Sequence, residues 1–164
     1  MSTSARKDIE FLVESRNKTE GARKVNVAAG ATLIYPGDIV ACAPGTIVGS
    51  LMATNKPVAG SDYLMGIAVS TSTNTGSLAG TVLVVPMDPL DVLLISPNDP
   101  TAWDTQAEYD ALVNKRVLID LTAVKYTILA SDNSTYGCVI QPLDISKYPG
   151  KVAFCFRAGC SYLV

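Results

Sequence analysis

The chain contains no histidine. That removes the side chain most used for general acid–base work near neutral pH, and with it most Ser-His and Cys-His nucleophile pairs. It also removes the commonest zinc and iron ligand. Cys42, Cys138, Cys155 and Cys160 fall at no metal-finger spacing, so neither a metal nor a cofactor is expected. Charge is scarce as well: 17% of residues are charged against 48% apolar, which argues against disorder and for a surface that meets other protein. With a net charge of −2 and no basic stretch after the first two dozen residues, the chain lacks the footprint that holds a nucleic-acid backbone. No apolar run has the length of a leader or a membrane span; the most apolar late stretch, 81–96, is broken by Pro86, Asp88, Pro89 and Asp91. Neither nucleic acid nor membrane is therefore an expected partner. Synthesis in a reducing cytoplasm, with free buried thiols, is the expectation, and a Cys138–Cys155 disulfide is the alternative.

Motifs that carry chemistry are missing too. Gly45 and Gly49 are not followed by the Gly-Lys-Ser/Thr end of a phosphate loop, and no calcium-loop pattern occurs. Asp88 and Asp91 flank Pro89 in a turn where both acids face water, and Asp104 and Glu108 lie at like-charged i, i+4 positions on a helix. Neither pair has the facing walls that catalytic carboxylates need. The PGDIVACAPG segment shares proline and glycine punctuation with barrel enzymes of the dUTPase type, but their substrate motifs are absent. The expectation is no enzyme and no catalytic residue.

What is present divides by charge. Residues 1–24 hold six bases and four acids, net +2, which leaves −4 for the remainder. Within them Ile9, Leu12 and Val13 have the spacing of one short helical face, too brief to persist alone in water. The segment reads as an extended N-terminal arm that orders against another surface. From Val25 onward, short runs rich in Val, Ile, Thr and Tyr alternate with Pro, Gly, Asn and Asp, the pattern of strands and turns. Candidate strands are 25–27, 32–35, 38–43, 46–52, 63–70, 81–86, 91–95, 116–121, 124–130, 136–142, 152–157 and 160–164. The fold class is therefore mainly β, an antiparallel β-barrel or β-sandwich over 25–164. Residues 116–164 form a candidate C-terminal subdomain. One short helix, about 101–113, starts at Asp99-Pro100 and turns Trp103, Ala107, Ala111 and Leu112 to one face. The tyrosines at 35, 63, 126 and 136 are assigned to packing, and 70–80 to an exposed hairpin loop. No internal repeat is visible.

Between Val25 and Val85, Gly37-Asp38 opens a strand and Gly66-Ile67-Ala68 lies in a later one. In this the middle of the chain resembles the small capsid decoration, or cement, proteins of tailed bacteriophages. The resemblance implies a virion protein on the outer surface of a capsid, made in the host cytoplasm, that bridges major capsid subunits and stabilises the shell. Its implied partners are the major capsid protein and further copies of itself on the lattice. An arm of 24 residues spans about 80 Å when extended, enough to reach from one capsomer to the next. On this reading Ile9, Phe11 and Leu12 anchor the arm to the shell, and Arg6, Lys7, Arg16, Arg23 and Lys24 pair with its acids. The competing expectation is a head-fibre or host-surface adhesion module.

Overall fold

The computed structural model describes residues 21–52, 56–87, 91–121 and 125–160, together with the backbone of Glu10–Phe11. The fold is mainly β, as expected, and is built of two barrel-like sheets, one closed and one nearly so, the first and second barrels. The first is a closed ring of β2 (Arg23–Val27), β4 (Val48–Leu51), β3 (Ile39–Cys42), β5 (Tyr63–Ala68) and β6 (Gly80–Val85). The second follows the path β8 (Arg116–Val117), β11 (Cys138–Ile140), β12 (Val152–Phe156), β7 (Leu93–Pro97), β10 (Tyr126–Ile128) and β9 (Ile119–Leu121). Its two ends, β8 and β9, are separated only by Leu118, so one bent segment meets both edges and the sheet closes nearly into a ring. The sheet that takes in 116–157 thus also contains β7 and begins near residue 93. A two-residue strand, β1 (Glu10–Phe11), pairs antiparallel with β7.

Counting the β8–β9 segment as one position, both rings follow the same order in sequence: first, third, second, fourth, fifth, and back to the first. In both, the first and third strands run parallel, β2 with β4 and β7 with β10, and every other pair runs antiparallel. A ring with an odd number of strands cannot alternate direction all the way round, so a parallel seam is obligatory. The antiparallel expectation thus holds for every pair but one in each ring. The common order also reveals a repeat of topology that is invisible in the sequence, because strand order does not require repeated side chains.

The barrels share a wall. Along β3, Ile39 and Ala41 pack into a core continuous with the second barrel, while Val40 and Cys42 point into the first. β5 does the same, with Leu64 and Ile67 facing one core and Met65 and Ala68 the other. The phase changes because the pairing shifts register: Val40 opposes Gly66 while Ala41 opposes Leu64, which leaves Met65 as an extra residue in a bulge. Strands buried on both faces are apolar throughout, and IVAC and LMGIA read that way. A cross-barrel hydrogen bond seals the wall, from Ile39 N–H to the Tyr126 hydroxyl at 3.1 Å. The 56–62 segment adds a brace: Ala59 N–H donates to the Thr135 carbonyl and Gly137 N–H to the Pro57 carbonyl, both at 2.9 Å.

The five residues behind the phage resemblance meet at this wall. Gly37, at φ +91°, donates to the Ala68 carbonyl; Ala68 N–H donates to the Asp38 carbonyl; and Ile39 opposes Ile67. The Asp38 side chain is fully buried and accepts from Tyr35 N–H at 2.8 Å, which holds the turn. Their local role is to lock β3 to β5.

Several sequence expectations are corrected. Residues 32–35 form an irregular arch rather than a strand, because Ile34 N–H bonds the Ser72 hydroxyl and Ile34 carbonyl accepts from Ser72 N–H. The 70–80 loop is accordingly only partly exposed: Ser72 and Asn74 are buried, and the Asn74 amide donates to the Ala31 carbonyl. The helix is split into a 3-10 turn, Pro100–Trp103, capped by Asp99, and α1 (Gln106–Leu112), capped by Thr105 with Glu108. That restart resets the phase, so Trp103 and Tyr109 face inward while Ala107 and Ala111 are exposed. Of the four tyrosines assigned to packing, Tyr126 is fully buried and the other three are half-buried. Cys160 closes a 3-10 turn, Ala158–Cys160, and 161–164 lie outside the described residues. All four thiols are free. Cys138 opposes Phe156 while Cys155 opposes Val139, one step along the ladder, so strand alternation sends the two thiols to opposite faces and no disulfide joins them.

Candidate binding surface

The face of the first barrel turned away from the second is made by β6, β2 and β4. Alternation along β2 buries Val25 and Val27 and turns Lys24 and Asn26 outward. Lys24 opposes Leu83 on β6, and Asn26 opposes Val48 on β4. Gly49 decides the phase of β4: a Cβ there would lie 2.6 Å from Val25 Cγ1 and 2.8 Å from Val40 Cγ1, so only glycine can face the core at that level. Val48 is thereby forced outward. Leu83 is 40% exposed and Ile47, which precedes β4, is 63% exposed. Val69 is exposed beside them, and its N–H donates to the Leu83 carbonyl at 2.9 Å.

A cleft of about 240 Å³ opens at the edge of this face. Val25, Met65 and Val84, whose side chains belong to the barrel core, form its floor, and Arg23, Lys24 and Ile47 form its rim. It exists because the parallel seam is short: β4 opposes only Asn26 and Val27, so Arg23–Val25 run past the end of their neighbour. Among the described residues no acid lines the cleft. Arg23 and Lys24 make no ion pair among them, whereas Lys56–Asp62 at 3.1 Å, Arg116–Asp132 at 3.7 Å and Lys147–Asp144 at 3.7 Å pair elsewhere.

A second cleft, also about 240 Å³, lies beside the helix of the second barrel between Pro97, Pro100, Trp103, Ile145 and Lys151. The Trp103 indole N–H is buried there and has no hydrogen-bond partner among the described residues. Nearby, Asp104 is held above the usual carboxylate range by its hydrogen bond to Glu108, whose own carboxyl is held down by the Thr105 hydroxyl and by Asp104. Both acids face solvent. Burial pushes the Cys42, Cys138 and Cys155 thiols above their ordinary value, and that of Cys160 up to about 11. Among the described residues no three acidic, cysteine or histidine side chains come together as a metal site would require.

Of the residues assigned to shell binding, Arg23 and Lys24 are the first residues of β2 and sit together on the cleft. Phe11 is described by its backbone, which pairs with Leu93 of the same chain. Arg6, Lys7, Ile9, Leu12 and Arg16 lie outside the described residues. Sequence reasoning missed Ile47 and Leu83. Within 46–52 adjacent apolar residues conceal the alternation, and the only available signal was Gly49. No family model, curated protein or solved structure matches this chain.

Proposed function

We propose that this chain is a non-enzymatic structural protein of a bacteriophage virion, which binds the outer surface of the capsid and bridges neighbouring major capsid subunits. The observation that carries the reading is the outer face of the first barrel. There exposed Leu83, Val48 and Ile47 stand beside Arg23 and Lys24, cations without an ion-pair partner among the described residues. Apolar groups flanked by such cations suit a protein partner, since the apolar part supplies affinity and the charges select what docks. The resemblance of 25–85 to capsid decoration proteins supplies the identity of that partner. Two barrels with a common wall make a stiff body, and repetition over a lattice turns modest contacts into strong attachment.

Co-sedimentation with capsids that lack the protein tests the proposal. The chain is expected to pellet with the shells and to saturate at a fixed ratio to the major capsid protein. Absence of binding would overturn the reading and favour a head-fibre or host-surface adhesion module, to be pursued with glycan and cell-surface binding.

A further inference from the structure

The two barrels share one strand order, but their parallel seams are finished differently. In the second barrel β10 opposes β7 only at Ser96 and Pro97, the last two residues of the strand. The first two, Leu93 and Leu94, are completed on that edge by β1, with Phe11 opposite Leu93 and Glu10 opposite Leu94. In the first barrel β4 opposes β2 only at Asn26 and Val27, again the last two residues of a five-residue strand. The equivalent first two residues are Arg23 and Lys24, and among the described residues no strand completes that edge. The cleft described above occupies this position.

From this correspondence we infer that the open seam of the first barrel is a strand-accepting site, and that its occupant is an extended acidic segment of a partner protein. The inference rests on the shell-binding reading for the partner's identity but not for the chemistry of the site. Backbone groups at a sheet edge bind any extended chain, and specificity comes from the side chains flanking the edge. Where the second barrel presents buried Leu93 and Leu94 to a strand of its own chain, the first presents exposed Arg23 and Lys24. Those cations select carboxylates. The apolar floor of Val25, Met65 and Val84 accepts the alternate, apolar residues of the incoming strand. The arm of a second copy is the poorer occupant, because residues 1–20 carry four bases and four acids and offer no net negative charge.

Three labelled peptides test the site on the full chain by fluorescence anisotropy: an alternating Glu-Val octamer, a Lys-Val octamer, and a Glu-Pro octamer with the charge of the first but fewer backbone N–H groups. The Glu-Val peptide is expected to bind, with the other two at least about tenfold weaker, and the R23E/K24E double variant should lose about tenfold for Glu-Val. Equal binding of Glu-Val and Glu-Pro would overturn strand addition; equal binding of Glu-Val and Lys-Val, or an unaffected double variant, would overturn the acidic partner. Both substituted residues are exposed, and an unchanged thermal midpoint verifies the fold. Shell binding is read separately with the same variant. Shells that take up R23E/K24E as well as the parent chain would refute the seam as the docking point and leave the shell reading standing. Glu-Val binding without shell binding would support the seam and remove the shell.

Discussion

At the residue scale the buried polar groups define what can be tested. The Tyr109 hydroxyl donates to the Gln141 carbonyl and accepts from Ala153 N–H, both at 2.9 Å, and so ties α1 to β12. Tyr109→Phe takes this partner from the buried Ala153 N–H and the partly buried Gln141 carbonyl, and is expected to cost about 1–3 kcal/mol in urea denaturation. Burial pushes this phenol from 10.0 up to about 12 and the Cys160 thiol from 9.0 up to about 11. Groups that remain neutral in the fold while the unfolded chain ionises contribute stability that is complete below the unfolded value and lost as pH rises toward the folded one. The denaturation midpoint should therefore fall between about pH 9 and pH 12, and Tyr109→Phe should flatten the part above pH 10. A midpoint constant over that range would contradict the assignment. Burial also predicts that Cys42, Cys138 and Cys160 resist a thiol reagent in the native state, with half-buried Cys155 the most reactive of the four.

At the scale of elements the bulge in β5 sets which residues face which barrel. Gly66 adopts φ +142°, and a Cβ there would collide with the Val85 carbonyl and the Val84 side chain. Gly66→Ala is expected to destabilise by about 2–4 kcal/mol, read from the shift in urea midpoint, whereas Gly45→Ala, with open space around its Cβ, should cost less. Most strands were legible because β-branched runs end at Pro-Gly and Asn/Asp turns, as β3 does between Pro36-Gly37 and Pro44-Gly45. The helix was legible in position but not in its facing, since the Thr105 cap restarts it after Trp103. Residues 32–35 looked like a strand by composition, yet their backbone bonds go to Ser72 and leave no ladder. Of the cleft, the charge of Arg23 and Lys24 was plain in the sequence. Its floor was not, because Met65 and Val84 arrive from strands distant along the chain and the parallel seam leaves no local mark.

At the scale of the whole molecule the shared wall is expected to make the two barrels unfold as one body. The larger core joins Ile39, Leu64 and Ile67 of the first barrel to Leu93, Tyr126 and Phe154 of the second. Trp103, the only tryptophan, reports on the second barrel, and Cys42 lies in the core of the first. Trp103 fluorescence and peptide-resolved alkylation of Cys42 are expected to give one denaturation midpoint; separate midpoints would show that the wall does not couple the barrels. Unfolding as one body would suit the proposed role, in which the outer face of the first barrel attaches to a shell.

The most direct test of that role is the temperature at which DNA escapes from filled shells, followed with a dye that fluoresces on exposed DNA, before and after the shells are saturated with the chain. A structural protein that bridges capsid subunits raises that temperature, and raises it less as occupancy falls. Shells that carry the chain at full occupancy and still release DNA at the temperature of bare shells would contradict the account.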